Sequence, residues 1–301
     1  MKFSIFLFAI TLWFIPKSYA SEGLFGYIYT AETTPAQNWE YEQKQTFRSG
    51  KARGNYSSLD LRNEIEYGIT DRLQSALYLN SSYNNRANQY NTEDVSKDLS
   101  DRSEFNVNGV SVELLYRVLS PYKDGFGLAF YVEPELSLRD RMSGDDKIER
   151  ALEGRLILQK NFLNDELITA ANLMLEPEWE KEDGEYAKEL WVEFTLGASY
   201  RLQSNWSVGL ELRNHMEFPE MNMKNQEHSA YFAGPNVHYG SENYWLNLTV
   251  LPQIAGWPRD LGTGSDGQAV TSNYAHLAQH EKFEIRLAFG IPIGGEHEHA
   301  H

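Results

Sequence analysis

Apolar residues recur at every second position in segments of about ten or more residues along most of this chain, which is the period of a β-strand. Leu59, Leu61 and Ile65 share one face of such a segment. Asp60 and Glu64 share the opposite face. No stretch with the helical period competes with this pattern, so the chain is limited to an all-β fold whose strands have one apolar and one ionic face.

The connections between these segments alternate in length. Short turns lie at residues 70–72, 120–125, 161–165, 203–205 and 240–243, and longer polar loops are centred on residues 48–55, 84–104, 140–148, 181–187, 219–227 and 256–280. These connections join twelve strands that begin near Trp39 and end near Ile293. We therefore predict a transmembrane, antiparallel, up-and-down β-barrel of about 12 strands, with short periplasmic turns and longer extracellular loops.

A soluble sandwich or barrel is the main alternative, because its apolar faces would form a packed core and its ionic faces would meet water. Large aromatic residues on the apolar face favour the membrane barrel, since several lie within a few residues of a short turn. They are Tyr67, Tyr116, Phe126, Tyr200, Trp206, Tyr239 and Tyr244. Such residues form the girdle where the apolar band of a membrane barrel meets water.

The first twenty residues have the pattern of a secretory signal peptide, with an apolar stretch from Phe3 to Ile15 and a small residue, Ala20, at the cleavage position. A short membrane anchor is the alternative. We predict residues 1–20 as signal peptide, 21–37 as a periplasmic leader or lumen plug, 38–293 as the barrel and 294–301 as a His-rich periplasmic tail. This organisation predicts the outer membrane of a Gram-negative bacterium.

Composition excludes several classes of protein. The formal net charge of −16 argues against a nucleic-acid binder, which needs a basic face. The chain has no Cys, so disulfides, thiolate metal sites and cysteine nucleophiles are ruled out.

The ionic faces of the strands carry about twice as many acids as bases, and in a barrel they face the lumen. The residues expected to set lumen selectivity are Asp60, Arg62, Glu64, Glu66, Glu113, Arg117, Glu133, Glu135, Arg155, Glu193, Glu211, Arg213, Glu284 and Arg286. Two interpretations remain open. The charges form a salt-bridge network that fills a narrow lumen, or the surplus of acids makes an open lumen attract cations.

Methionine and histidine cluster in the last third of the chain, and these are ligand types that bind copper. Candidate copper or zinc ligands are His215, Met216, Met221, Met223 and His228 in one cluster and His297, His299 and His301 in the tail. His276 and His280 are weaker candidates. The alternative is a solvated loop and tail without metal, and no cofactor is required for the predicted fold.

An outer-membrane lipid hydrolase would need a serine and a histidine within hydrogen-bond reach. His228 and Ser229 are neighbours in sequence, but adjacent residues of a strand point to opposite faces. We therefore predict no catalytic residues and no enzyme activity.

Three amides do not fit the pattern. Gln43, Gln45 and Asn63 fall on the lipid face of the first two strands, where an unpaired amide is costly. Either these strands bear a protein contact or their register differs from the predicted one.

The mature N-terminus resembles a known family. The run Gly23-Leu24-Phe25-Gly26-Tyr27-Ile28-Tyr29-Thr30-Ala31-Glu32-Thr33 and the turn Tyr67-Gly68-Ile69-Thr70-Asp71-Arg72-Leu73 look like those of uncharacterised proteobacterial outer-membrane β-barrel proteins. The resemblance implies the fold and the location, and it carries no established activity. Such barrels often end on an aromatic residue recognised during assembly, whereas here Ile293 is followed by residues 294–301.

These observations predict a passive channel or an export component for small, possibly cationic solutes. A non-conducting metal-binding protein of the outer membrane is the second hypothesis, and a lipid hydrolase is the third. The expected partners are outer-membrane lipid, the barrel-assembly machinery and small solutes or cations, with no nucleic acid. The oligomeric state is left open.

Overall fold

The computed structural model of this chain describes residues 23–91, 94–140, 144–182 and 185–293. The predicted signal peptide and the His-rich tail, with His297, His299 and His301, lie outside these residues. The described strands are β1 (Trp39–Ser49), β2 (Asn55–Thr70), β3 (Leu73–Ala87), β4 (Arg102–Leu119), β5 (Gly127–Arg139), β6 (Asp146–Phe162), β7 (Leu167–Glu182), β8 (Glu185–Gln203), β9 (Trp206–Pro219), β10 (His228–Gly240), β11 (Trp245–Trp257), β12 (Asp260–Thr263), β13 (Ala269–Thr271) and β14 (Phe283–Ile293).

Twelve of these strands, β1 to β11 and β14, form a closed barrel in which every neighbouring pair is antiparallel. β1 pairs with β14 and closes the sheet, with Trp39 opposite Ile293. The predicted fold class is therefore confirmed. The short hairpin of β12 and β13 lies in the last long connection and was not predicted from the sequence. Among the described residues, no helix is long and apolar enough to span a membrane.

The two faces of the strands have the polarity of a membrane barrel. Outward residues are apolar and exposed, for example Leu77 at 56% and Phe130 at 52% of their surface. Inward carboxylates are buried, for example Glu64 at 2% and Glu113 at 1%. The soluble alternative requires the reverse arrangement. An apolar exterior of this extent belongs in contact with lipid rather than water.

Pro134, Pro177, Pro235 and Pro252 lie inside barrel strands and away from the strand ends, although proline cannot donate a ladder hydrogen bond. Each lies where pairing on one side of its strand is interrupted. The β4–β5 register skips the residue opposite Pro134, and the β6–β7 register skips the one opposite Pro177. Pro235 and Pro252 both lie in the gap of the β10–β11 ladder. The missing donors therefore fall where the ladder does not use them.

Residues 23–37 precede β1 and pass through the interior of the barrel. Much of this segment is buried, including Phe25, Tyr27 and Ala31. It is not a strand of the barrel wall, because it joins none of the strand pairs. It forms backbone hydrogen bonds with the wall only near its exit, where Gln37 N donates to the carbonyl of Gly68 over 2.7 Å.

Candidate functional site

One carboxylate of β9 anchors the N-terminal segment. The backbone N–H groups of Gly26 and Tyr27 donate to the two oxygens of Glu211 over 2.8 and 2.9 Å. Asn236 and Thr249 donate to the same carboxylate, over 2.7 and 2.9 Å. Glu211 therefore accepts four hydrogen bonds, two of them from the backbone of the segment, and Arg286 Nη1 adds a bond to the Gly26 carbonyl over 2.8 Å.

Interior amides hold the rest of the segment. Tyr29 N donates to Asn172 over 2.7 Å, and the Asn172 amide donates back to the Tyr29 carbonyl over 2.9 Å. Ala31 N donates to Gln159 over 2.8 Å. A buried extended chain needs partners for its backbone groups, and here the inward-facing side chains provide them in place of a neighbouring strand.

Wall glycines make room for the apolar side chains of the segment. A Cβ atom added at Gly197 would lie 2.5 Å from Ile28 Cδ1 and 2.9 Å from the Phe25 ring. A Cβ atom added at Gly127 would lie 2.8 Å from the Ala31 Cβ. All three distances are shorter than real Cβ contacts, so the segment packs against the wall only because these two positions lack a side chain.

Above the segment, ion pairs form a chain that runs along the wall and connects β2 to β6. Its links are Arg48–Asp60, Arg48–Glu284 (3.2 Å), Arg213–Glu284 (3.0 Å), Arg213–Glu193, Arg155–Glu193 (3.5 Å) and Arg155–Glu153 (2.8 Å). Arg213 on β9 reaches β14 and Arg155 on β6 reaches β8, so the chain skips intervening strands. Charges that share partners in this way tolerate burial much better than isolated ones.

A second bridge joins strands that are not neighbours. Arg62 on β2 donates to Glu133 on β5 over 2.6 Å, and its guanidinium lies 4.3 Å from the centre of the Tyr78 ring. Ser111 and Tyr131 also donate to Glu133. Arg62 therefore connects β2 to β5 across the interior of the barrel.

Carboxylates predominate in the periplasmic half of the interior, below the ion-pair chain. The acids there are Glu40, Glu42, Glu64, Glu66, Glu113, Glu133 and Glu211, and the bases are Lys44, Arg62 and Arg286. Lys44 lies 3.2 Å from Glu42 and 2.9 Å from Glu64. Ligand oxygens of Glu64, Glu66 and Glu113 lie within 4.8 Å of one another. Acidic side chains therefore outnumber basic ones in this half of the interior.

Two cavities lie along the barrel axis. The outer one is about 560 Å³ and is lined by the upper strand ends and the extracellular loops. The inner one is about 170 Å³ and is lined by the N-terminal segment and the charged residues around it. The two cavities share no lining residue. A solute passing through would therefore have to displace side chains of the ion-pair level and the N-terminal segment.

The outer cavity has unequal walls. On the β7–β8 side, Glu178 and Glu189 lie directly opposite each other in the register, next to Trp191. On the β1–β3 side the bases already have acidic partners: Lys51 lies 3.5 Å from Glu281, Arg53 contacts Asp98, and Arg86 lies 3.3 Å from Asp145. The β7–β8 wall of this cavity therefore carries acidic side chains, and Lys147 of β6 lies 3.0 Å from Glu180 beside them.

Four histidines meet beside the outer cavity. His228 Nε2 lies 2.6 Å from Glu217, and its Nδ1 lies 3.0 Å from His280 Nε2. The His276 ring stacks on His228 at 5.1 Å, and the His215 ring lies 5.4 Å from that of His280. The sequence analysis placed His215 and His228 in one group of candidate metal ligands. The structure brings them together with His276 and His280, which the sequence analysis treated as weaker candidates because they lie on a distant loop.

This cluster attaches the last extracellular loop to the barrel. His276 N donates to the Gln253 amide over 2.7 Å, and that amide donates back to the His276 carbonyl over 3.1 Å. Burial lowers the pKa of His276, and it lowers the pKa of His280 further because the neighbouring imidazoles add to the effect. The neutral imidazoles are thus part of the packing that holds residues 275–282 over the lumen.

The methionines of the proposed metal cluster do not join the imidazoles. Met216 follows His215 on β9 and so points to the opposite face. Met221 and Met223 lie in the loop before β10, and Met223 is 63% exposed. Both nitrogens of His228 already have protein partners, and neither partner is a serine. The arrangement at His228 is therefore neither the predicted Met/His site nor a serine–histidine pair.

Most residues predicted to set selectivity lie in the interior described above, and two lie nearer its ends. Arg117 is half-buried and donates to the Asp71 carbonyl at the periplasmic turn. Glu135 is half-buried and accepts a hydrogen bond from Ser137 over 2.6 Å. The sequence analysis missed Arg48, Gln159 and Asn172. All three fall on the ionic face of their strands, so the two-residue period could have identified them.

Comparison with known proteins identifies the family of this chain and structures of similar fold. The model of a family of unknown function (DUF6662) matches residues 17–293. A search of curated proteins finds no match. The COG4313 outer membrane channel from Pseudomonas putida F1 is similar in structure, with a TM-score of 0.51 and 10% identity over 87% of this chain and 97% of that one. The β domain of the Bordetella autotransporter Brka is similar with a TM-score of 0.52 and 9% identity over 85% and 99%. The chain belongs to the DUF6662 family and has the fold of an outer-membrane β-barrel.

Proposed function

We propose that this protein is an outer-membrane channel for small cationic solutes whose lumen is closed by its own N-terminal segment, residues 23–37. The observation that carries the proposal is the way this segment is held. Side chains of the wall bind its backbone, and no wall strand pairs with it along its buried length. It therefore occupies the lumen as a plug, and it can leave without opening the barrel. An export component would use the same device.

The preference for cations follows from the charge of the interior. Carboxylates predominate around the plug, and Glu178 and Glu189 face each other on the wall of the outer cavity. A cation crossing the barrel meets acidic side chains at both levels, while an anion is repelled at both. The bases of the interior are fewer than the acids, so pairing between them leaves a net negative charge.

The channel is preferred to the two alternatives on geometry. Met216, Met221 and Met223 lie apart from the imidazoles, which weakens the metal-binding hypothesis for this region, and the tail lies outside the described residues. The hydrolase hypothesis lacks a serine bonded to His228. A cavity open to the outside above a plugged, acidic lumen has no evident use in either alternative.

Planar-bilayer conductance tests the proposal. The full chain is compared with a variant that lacks residues 22–36 behind an unchanged signal peptide. We expect the full chain to conduct weakly, and the deletion variant to conduct at least about tenfold more, because the plug no longer fills the lumen. In a salt gradient, the reversal potential of the variant should indicate selectivity for cations over anions.

Heat-modifiable migration on a gel confirms that each protein is folded before conductance is recorded. A folded deletion variant that remains silent would refute the channel. A conducting variant that prefers anions would refute the role assigned to the interior acids and leave the plug in place.

A further inference from the structure

Three amides form a polar patch, Gln43, Gln45 and Asn63, on the outer surface of β1 and β2. Gln43 is directly opposite Asn63 in the register and four residues above Trp39 at the periplasmic rim. Four residues of strand span about 13 Å, and the apolar band of such barrels is about 25 Å tall. The patch therefore lies near the middle of the hydrocarbon layer, where amides are least expected.

The predicted register is correct at this point. Glu42, Lys44 and Glu64 alternate with the amides and face the lumen. Apolar residues surround the patch, since Gln43 is opposite Phe289 on β14, Gln45 is opposite Leu287, and Asn63 is opposite Leu79 on β3. Of the two explanations offered by the sequence, a shifted register is thus excluded, and a protein contact remains.

The three amides form a chain of side-chain hydrogen bonds that leaves one donor and one acceptor without a partner among the described residues. Tyr41 Oη and Gln43 Nε2 donate to Asn63 Oδ1 over 2.9 and 2.8 Å, and Gln45 Nε2 donates to Gln43 Oε1 over 2.6 Å. Among the described residues, no bond is made by the Asn63 amino group or by the Gln45 carbonyl oxygen. The patch therefore presents a free donor and a free acceptor to a medium that supplies neither.

Another amide on the lipid face shows how a lone one is accommodated. Asn214 on β9 donates to the Ala230 carbonyl of its own wall over 3.2 Å and is 7% exposed. It satisfies its donor within the barrel and is covered by its neighbours. The three amides of the β1–β2 patch are instead half-buried and adjacent to one another, which is what a contact surface requires.

We propose that the β1–β2 amide patch is the contact between two copies of this chain in the membrane. A two-fold contact brings the same surface together twice, so it needs a patch that carries both donors and acceptors. The free donor at Asn63 and the free acceptor at Gln45 meet this condition. Lipid tails offer no hydrogen bond in exchange, so pairing with a second copy satisfies groups that lipid leaves unsatisfied.

Site-specific crosslinking tests this directly, because the chain has no Cys of its own. Leu61→Cys places a single thiol beside Gln45 and leaves all three amides intact. Leu173→Cys is the matched control, since it is exposed on β7, on the far side of the barrel from β1. After oxidation in lipid vesicles we expect a disulfide-linked dimer from Leu61→Cys and little from Leu173→Cys. Equal yields from the two variants would overturn the proposal.

A triple variant, Gln43→Leu, Gln45→Leu and Asn63→Leu, tests the role of the amides. Leucine already covers much of the remaining lipid face, so the barrel should still fold. The three substitutions remove several membrane-embedded hydrogen bonds at once, and each of these contributes modestly. The dissociation constant of the dimer, measured by energy transfer between labelled copies in vesicles, should therefore rise at least about tenfold. An unchanged constant, or a wild-type protein that stays monomeric at high density in the bilayer, would contradict the proposal.

Discussion

The two halves of the lumen are closed by different means. In the periplasmic half, a chain segment from outside the barrel fills the space, and wall side chains such as Glu211 and Asn172 bind its backbone. In the outer half, a loop between two wall strands folds inward, and imidazoles such as His276 and His280 pack it in place. The first closure depends on charge-assisted hydrogen bonds and shape, and the second depends on histidines remaining neutral.

This difference separates the conditions that should open each end. Imidazoles that are released into water titrate between about pH 5 and 8, and three of them, His228, His276 and His280, meet at the outer closure. Shape and contacts therefore control the periplasmic closure, while mild acid acts on the outer one.

Changing the shape of the wall should have the largest effect. Gly197→Val places a branched side chain where Ile28 and Phe25 now pack. Overpacking of this kind costs about 1–3 kcal/mol, which disfavours the docked segment and raises bilayer conductance by about tenfold or more. Far-UV circular dichroism and heat-modifiable migration check that the barrel is intact.

Gly154→Val is the control for this substitution. Gly154 is also a strand glycine, but the nearest atom to an added Cβ is the Leu175 carbonyl oxygen at 3.8 Å. Valine there should leave conductance unchanged. Equal conductance in the two variants would show that the segment does not pack against Gly197.

Mild acid should have a smaller effect, confined to the outer loop. Burial holds the pKa of His280 well below its usual value near 6.5. A released loop therefore binds more protons than the packed one below that pH, so the stability of the packed loop falls as pH falls. At pH 5.5 the loss is about 1 kcal/mol for this residue. Hydrogen exchange of residues 272–282 at pH 7.5 and 5.5, corrected for intrinsic rates, measures this loss of loop stability.

The charged and titratable groups around His280 define the control for the pH experiment. They are His215, His228, His276, Lys51, Glu217 and Glu227. His280→Gln removes one titrating ring and should reduce the dependence of loop exchange on pH. Gly23 is left out of the comparison because its carbonyl lies 3.1 Å from His238 Nδ1. Between the two pH values, the exchange of residues 27–34 should change less than that of the loop. If they respond to acid as strongly as the loop, the two closures are not independent.

The barrel was predictable from the sequence because one local rule sets it. Each strand alternates apolar and ionic residues, as at Leu59, Asp60 and Leu61, and an error of one residue would place charges in lipid. The same rule identified the amides at Gln43 and Asn63 as exceptions, and the structure keeps them outside. Strand count, turns and the side on which each face lies all follow from this alternation.

The contacts inside the lumen could not be predicted from the sequence, because they join residues far apart in the chain. Glu211 binds Gly26 across 185 positions, and His228 meets His280 across 52. Spacing along one strand carries no information on these partners. For the same reason Met216 and His215 looked like joint ligands, although adjacent residues of a strand face opposite sides.

Disulfide formation between the segment and the wall is the most direct test of the central claim that residues 23–37 occupy the lumen. Ala31→Cys is combined with Ala129→Cys, a small wall residue of β5 that is fully buried in the same cluster as Ala31. The control combines Ala31→Cys with Leu128→Cys, the residue before Ala129 on β5, which faces lipid. The account predicts an intrachain disulfide in the first pair and none in the second. A first pair that stays reduced under oxidant in a folded barrel, or equal crosslinking of both pairs, would contradict it.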